Sequence, residues 1–306
     1  MAQPKLIASE ADVTEVALAA MACTPNPRLR QIMDAFVRHS HDFVREVNLT
    51  DEEFEFGLQF LARVGQANTD LHNEVTLAAD VLGISTLVAL RNNPCSHGQT
   101  ASALLGPFWR QHAPGCSNGD SIARSNTPGE PLLVSGQVRN VTGRPLVGAV
   151  VDVWQASPVG LYENQDPGQD VMNLRGKFST DAEGRFYFRT VRPAGYPVPT
   201  DGPTGELLKA QGRHPYRPAH IHFMVSAPEH RTLITQVFAD VPEALATDVV
   251  FGVTQPLVGC LERGRAPQVW AAGAAEAHAG QEAVCTLEYD FVLQPGVPTF
   301  PEPPIK

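Results

Sequence analysis

No stretch of the 306 residues approaches the eighteen or more consecutive apolar side chains of a membrane span. The N-terminus Met1-Ala2-Gln3-Pro4-Lys5 opens into acidic rather than apolar sequence, so neither membrane insertion nor a secretion signal is expected. Basic residues are scarce, with 23 Lys and Arg against 33 Asp and Glu and a net charge of −10. That balance argues against a nucleic-acid binder that lives on phosphate contacts and against a polybasic membrane surface. Cysteine is scarce as well. The five (Cys23, Cys95, Cys116, Cys260 and Cys285) are scattered with no Cys-x-x-Cys among them, which indicates neither a disulfide framework nor a thiolate metal cluster and makes the cytoplasm the natural compartment. What is left is a chain long enough for one large core or two modest ones, acting on a small partner.

The N-terminal third reads as helix. Leu29, Ile32, Met33, Phe36, Val37, Phe43, Val44 and Val47 recur three or four apart, and Thr50 with Glu53 forms a capping box ahead of Phe54, Leu58, Leu61 and Val64. A third helix, from about Asp70 to Arg91, is more broadly apolar and is expected to be buried on more than one face. Pro, Gly, Ser and Asn then punctuate the chain to about Pro131, as expected for a long surface connection. From Leu132 onward the character is β: residues 132–138, 149–154, 184–190, 220–225 and 233–238 are short, β-branched or aromatic runs separated by turn residues. Asp181-Ala182-Glu183-Gly184 reads as a hairpin turn, and the tail Pro295–Lys306, with five prolines, as an extended strap. The expectation is an α+β chain with a helical domain over residues 1–115 and a β-sandwich over residues 116–306.

One strand carries chemistry. In Ala219-His220-Ile221-His222-Phe223, alternation puts His220 and His222 on one face and Ile221 and Phe223 on the other. Two imidazoles side by side are half a metal site, and zinc, copper, iron and nickel all suit them. The cysteines supply no further ligands. Of only five tyrosines, Tyr162 and Tyr196 lie in Gly- and Pro-rich settings, where strand packing does not account for them. Phenolate is a hard donor that favours a trivalent ion, so two tyrosinates beside two imidazoles would select Fe(III). The residues alone leave other readings open: a histidine pair satisfied by packing, a zinc hydrolase on His220 and His222, or a non-enzymic sandwich module.

From Leu132 to about Val253 the chain resembles the intradiol ring-cleavage dioxygenases. The resemblance rests on Gly143-Arg144-Pro145-Leu146-Val147-Gly148-Ala149 running into Asp152-Val153-Trp154-Gln155-Ala156, Gly160-Leu161-Tyr162, Thr180-Asp181-Ala182-Glu183-Gly184-Arg185-Phe186, Asp201-Gly202-Pro203-Thr204-Gly205, and Gly212-Arg213-His214 running into Arg217-Pro218-Ala219-His220-Ile221-His222-Phe223. Ala79-Asp80-Val81-Leu82-Gly83 and Leu105-Gly106-Pro107-Phe108 extend it into the helical third and toward the catechol- and hydroxyquinol-cleaving branch.

The resemblance implies one Fe(III) per subunit, held by Tyr162, Tyr196, His220 and His222, with Tyr162 the ligand that leaves when substrate binds. It implies Arg217 as the stabiliser of negative charge on the ring and Gln236 as a hydrogen-bonding partner of hydroxide or substrate. Leu77, Asp80, Leu105, Gly106, Pro107, Phe108 and Val250 become the pocket lining, and a homodimer through the helices, with a phospholipid at its interface, is implied too. Val191 to Pro199 and Asp248 to Val253 are most similar to the hydroxyquinol-cleaving members. The implied reaction is cleavage of benzene-1,2,4-triol by O2 to 3-hydroxy-cis,cis-muconate or maleylacetate, with Asp80 accepting a hydrogen bond from the third hydroxyl. The alternative is a catechol or chlorocatechol 1,2-dioxygenase giving cis,cis-muconates, toward which Gly195 leans; the segment Thr100–Leu104 departs from the run usual in the relatives, and both are expected to touch the pocket wall.

Overall fold

A computed structural model describes residues 6–69, 72–95, 97–124, 126–264 and 284–304. Asp70, the expected start of the third helix, and Ile305 and Lys306 of the expected strap lie outside these residues. Two compact units are present, residues 1–63 and 64–306. The first holds α1 (Glu10–Met21), α2 (Pro27–Glu46) and most of α3 (Asp51–Gln66). Asn26 caps α2 by accepting from the backbone N–H of Arg28 and Leu29, with Pro27 following at the first helical position. The expected capping box of α3 forms: Thr50 N donates to Glu53 Oε2 at 3.0 Å and Glu53 N to Thr50 Oγ1 at 3.3 Å.

The expected third helix is two. α4 (Glu74–Val81) and α5 (Ile84–Asn92) are separated at Gly83, whose left-handed φ of 73° stops the first and starts the second. Burial divides there as well. α4 buries Glu74, Leu77, Asp80 and Val81, whereas α5 buries none of its residues and leaves Ile84, Leu87, Val88 and Leu90 exposed, contrary to the expectation of burial along the whole run.

Two sheets enclose one core in the second unit. In the five-stranded sheet β1 (Pro131–Asn140) is central: β4 (Arg185–Val191) lies antiparallel along one edge, and β10 (Val284–Glu288) then β11 (Phe291–Leu293) lie parallel along the other. β9 (Leu261–Gly264) pairs with β10. Gly136 marks the place where β10 gives way to β11, because a Cβ there would sit on the carbonyl oxygen of Tyr289. The second sheet runs β3-β2-β7-β8, from β3 (Arg175–Ser179), β2 (Val150–Gln155), β7 (His220–Ser226) and β8 (Leu233–Phe238). Val134 and Val138 of β1, Val151 and Val153 of β2, Phe186 and Phe188 of β4, Ile221, Phe223 and Val225 of β7 and Phe291 of β11 fill the space between them.

The turn Asp181–Gly184 therefore makes no hairpin within a sheet. β3 pairs with β2 and β4 pairs with β1, so it carries the chain from one layer to the other. A two-stranded piece, β5 (Tyr196–Pro197) with β6 (Tyr216–Arg217), and the short helix α6 (Pro203–Ala210) lie between β4 and β7 in sequence. From Pro295 the described tail has neither helix nor strand, though Pro295 bridges to His230.

Candidate active site

β7 turns Ile221, Phe223 and Val225 into the core and presents His220 and His222 on the opposite face. Sheet register surrounds them: Trp154 of β2 lies opposite His222, Gln236 of β8 flanks it on the other side, and Phe238 lies opposite His220. The indole stacks on His222 with ring centroids 4.8 Å apart and planes 11° apart. Tyr162 comes from the loop after β2 and Tyr196 from β5. That loop meets β5 at Gly160, where a Cβ would lie 3.1 Å from that of Tyr196.

The four side chains named from the sequence meet. Tyr162 Oη is 3.4 Å from Tyr196 Oη, which is 3.4 Å from His220 Nε2, which in turn is 3.2 Å from His222 Nε2. All four residues are buried, with exposures from 1% to 6%. Nitrogen and oxygen ligands sit about 2.0–2.2 Å from a shared cation, which separates neighbouring ligand atoms by about 3 Å. The observed spacings suit such a cation better than they suit mutual hydrogen bonds. Tautomer chemistry agrees. Pro218 O, 2.7 Å from His220 Nδ1, can only accept a proton, so the neutral imidazole carries its hydrogen on Nδ1 and points a bare Nε2 lone pair at the cluster. Burial, with Arg217 adding to it, pulls the His220 pKa down to about 3. Burial, with His220 adding to it, takes His222 well below the ordinary imidazole value. Both rings are thus neutral donors. Burial, then the neighbouring Tyr196, pushes the Tyr162 phenol well above its usual range, so its phenolate needs a cation beside it. The donor set fits a hard trivalent ion. Among the described residues no three His, Cys, Asp or Glu side chains gather as a metal site; the oxygen donors beside His220 and His222 are the phenols of Tyr162 and Tyr196.

Arg217 stands beside the cluster, its Nη1 3.3 Å from His220 Nε2. β5–β6 pairing sets it opposite Tyr196. Two groups aim it. Asp248 accepts from Nε and Nη2, each at 3.2 Å, and Gln236 Oε1 accepts from Nη2 at 2.8 Å. Burial alone would lower the guanidinium pKa and raise the carboxyl's, but the pair's mutual attraction reverses both. Gln236 departs from expectation: its carbonyl is taken by Arg217, and its amide donates to Leu104 O at 2.6 Å. It touches the site through Arg217.

A cavity of about 440 Å³ reaches Tyr196 and Arg217. Leu77, Asp80, Gly106, Pro107, Phe108 and Val250 line it as expected from the sequence, together with Leu104, Thr76 and Val198. Leu105 does not line it. Its side chain packs with Phe108, Trp154 and Met224, and its predecessor Leu104 takes the wall, a one-residue offset in a segment without regular period. Burial raises the Asp80 carboxyl pKa, opposed by Ser85 and Arg217. Gly106 has φ 74°, and a Cβ on it would stand 3.0 Å from His222 Cε1, so the wall closes on the histidine only because that side chain is missing. Gly195 is off the cavity. A Cβ there would lie 2.7 Å from Arg217 O, so close β5–β6 packing requires the glycine.

Sequence reasoning gave no role to Asp248, although it heads the matched segment 248–253, nor to Trp154, which strand register alone would have placed against His222. It also missed Glu163, next to Tyr162, which accepts from Arg175 Nε at 2.7 Å and Arg110 Nη1 at 3.0 Å. Arg175 further donates to Phe108 O at 2.6 Å and lies 5.8 Å from the Tyr162 ring centre, holding that loop against the cavity wall.

Residues 104–295 match the family described as Dioxygenase, and residues 26–100 match the Catechol dioxygenase N terminus. A 6-chlorohydroxyquinol 1,2-dioxygenase of Cupriavidus pinatubonensis is 42% identical over 284 residues, covering 93% of this chain and 97% of that protein. A catechol 1,2-dioxygenase of Candida albicans is 40% identical over 253 residues, covering 82% and 84%. The crystal structure of a hydroxyquinol 1,2-dioxygenase from Pseudomonas putida DLL-E4 superimposes with a TM-score of 0.85 at 41% identity, covering 94% of this chain and 99% of that one.

Proposed function

Because the chain belongs to the intradiol ring-cleavage dioxygenases, we propose that it opens hydroxyquinol between its adjacent hydroxyls with O2, giving 3-hydroxy-cis,cis-muconate and its keto form maleylacetate. The observation that carries the reading is the convergence of Tyr162, Tyr196, His220 and His222 with a bare imidazole lone pair at its centre. These four residues would hold one Fe(III) per subunit. Bound there, the ion would supply Lewis acidity toward the diol oxygens. The rest is done by side chains. Tyr162 Oη takes the proton of one diol hydroxyl as it gives way to substrate. Arg217, permanently charged and planar, stabilises negative charge on the ring, and Asp248 and Gln236 keep it aimed. Leu77, Gly106, Pro107, Phe108 and Val250 enclose the ring and exclude water, and Asp80 accepts a hydrogen bond from the third hydroxyl.

Iron-loaded protein should be red from tyrosinate-to-iron charge transfer, and Tyr162→Phe or Tyr196→Phe should bleach or shift that band. With labelled O2 both atoms should enter the product. A colourless protein at full iron occupancy, or product carrying one labelled atom, overturns the reading. Catechol is the second substrate to weigh, given the 40% identity to a catechol-cleaving relative. A kcat/KM at least tenfold higher for catechol, about 1.4 kcal/mol of transition-state preference, would replace hydroxyquinol with it.

The same reading makes the protein a homodimer joined through its N-terminal helices. Leu29, Ile32, Phe36, Phe43 and Val47 form an exposed apolar stripe on α2, and Phe54, Phe56, Leu58 and Leu61 are exposed on α3. Light scattering should give twice the chain mass, and mass spectrometry of a solvent extract tests for a phospholipid at that interface. All five cysteines are free thiols, which suits a reducing compartment, the cytoplasm, and no helix of the described residues is long and apolar enough to cross a membrane.

A further inference from the structure

Arg213 opens the segment that ends in His220 and His222, yet it contacts none of the four donor residues. Its guanidinium forks instead. Nη1 donates to Val81 O at 2.7 Å, on the last residue of α4, and Nη2 donates to Val249 O at 2.7 Å. The Phe251 ring covers it, with Cζ 4.8 Å from the ring centre. Phe251 sits in the left-handed region at φ 56°, where a bulky residue is strained, and its ring edge would be 3.2 Å from a Cβ on Gly83, itself at φ 73°. One costly backbone conformation at Phe251, a left-handed turn at Gly83 and two charge-assisted hydrogen bonds thus converge on one junction, between the end of α4 and residues 248–252.

Each side of that junction carries a wall of the cavity. α4 contributes Leu77 and Asp80, and the loop contributes Val250 and also carries Asp248, the carboxylate that aims Arg217 from behind the wall. The loop has other ties: Val249 N donates to Tyr216 O at 3.2 Å, Thr86 Oγ1 to Val250 O at 3.1 Å, and Asp248 holds Arg217. α4 has ties of its own, with Leu77 and Val81 in one buried cluster with Leu208, Val249 and Val250 and Glu74 accepting from Thr204 N at 2.8 Å; Arg213 adds the polar tie that joins its last turn, next to Asp80, to the loop. A planar guanidinium sets the separation of two carbonyls in a way a single ammonium does not.

We propose that Arg213, braced by Phe251, is a positioning residue for substrate choice: it fixes Asp80 at the distance from the ring at which a third hydroxyl is recognised. The proposal rests on the reading of Asp80 given above. A diol without that hydroxyl makes no use of the spacing, so the two substrates should part company when the fork is broken.

The test measures kcat and KM for hydroxyquinol and catechol in the iron-loaded enzyme and its Arg213→Lys and Phe251→Leu variants. Arg213→Lys should lower the hydroxyquinol-to-catechol ratio of kcat/KM at least fivefold, chiefly by raising KM for hydroxyquinol. Catechol turnover should change less than twofold, with iron content and the visible band unchanged. Phe251→Leu, which keeps the fork but loses its cover, should move the ratio the same way by about half as much on a logarithmic scale. In an Asp80→Ala background Arg213→Lys should leave the ratio where it is. An equal fall for both substrates, or an unchanged ratio in both single variants, overturns the proposal, as does the same shift with and without Asp80. A wild-type enzyme that prefers catechol overturns the hydroxyquinol reading instead, and the Arg213 proposal is still decided by whether the ratio moves through Asp80.

Discussion

Replacing Asp248 by Asn tests how the site holds the Arg217 guanidinium. Arg217 and Asp248 are buried, and the guanidinium contacts both carboxylate oxygens at 3.2 Å. Two opposite unit charges at that distance attract by about 5 kcal/mol at an effective dielectric of 20. Asn loses that attraction and cannot match the donors around it. Arg217 Nε and Nη2 and the N–H groups of Gly252 and Val250 all point at the two carboxylate oxygens, and the new NH2 would oppose one set of them. Gln236 still accepts from Nη2, which offsets a small part of the loss. The expected cost is about 3–4 kcal/mol, within the range for breaking a buried pair by removing one partner. Urea unfolding of the iron-loaded protein should show it as a lower midpoint at an unchanged slope. kcat/KM should fall by tenfold or more, since Arg217 loses its aim. Arg217→Met with Asp248→Asn completes a double-mutant cycle in which coupling should reach at least about 2 kcal/mol. A single-variant cost under about 1 kcal/mol, with coupling within error of zero, would refute the claim that this pair is held by charge.

Gly106→Ala adds a left-handed backbone cost of about 1 kcal/mol and a methyl 3.0 Å from a ring already stacked on Trp154. Iron retained after a chelator challenge should drop severalfold with it, and retention equal to wild type would show that the approach is not tight. Asp152, buried beside Trp109 and Lys177, has its carboxyl pushed up from 3.8 to about 6, chiefly by burial. Between those values the native state holds a proton the unfolded chain has released, so stability falls as pH rises through the window and stays about 3 kcal/mol lower above it. Asp152→Asn should flatten that fall in a pH series of unfolding midpoints, and superimposable profiles would discount it. Glu163→Gln strips the counter-charge from Arg175, which is 1% exposed, and should cost about 3 kcal/mol in urea unfolding, whereas a change below about 0.5 kcal/mol would mean that Phe108 O alone suffices for that guanidinium.

What was legible in the sequence was whatever repeats locally. Period near 3.6 with a capping box marks α2 and α3, and alternation marks β1, β2, β4, β7 and β8 within a residue or two. The break at Gly83 was hidden because apolar residues continue across it, and only the handedness of one residue decides it. β3 was missed because Arg175, Lys177 and Ser179 give it a polar face, although Arg175 is buried there by its pairing with Glu163. At the site, the period-2 spacing of His220 and His222 and the Gly- and Pro-rich settings of the tyrosines offered these four residues as one reading among several, and the family resemblance singled them out; the structure brings them together. Asp248 lies 31 residues from Arg217, and no local pattern announces a contact made between a loop and a two-residue strand. The offset between Leu104 and Leu105 belongs to the same class: in irregular chain, which side chain faces inward is settled by tertiary contacts alone.

The parallel pairing of β1 with β10 and β11 has a consequence for how the chain is made. Leu132 waits for Cys285 and Val138 for Phe291, partners more than 150 residues later. During synthesis from the N-terminus, one edge of the central strand stays without its hydrogen-bond partners until almost the whole chain has been translated. Contacts of such sequence separation close slowly, and an open apolar strand edge invites pairing with another chain. The sheet β3-β2-β7-β8, which carries His220 and His222, is complete at Phe238, well before that edge is covered. Ribosome-bound chains stalled after β8 should therefore hold paired histidines on a half-built core, and yield in cells should depend more on chaperone supply than on iron.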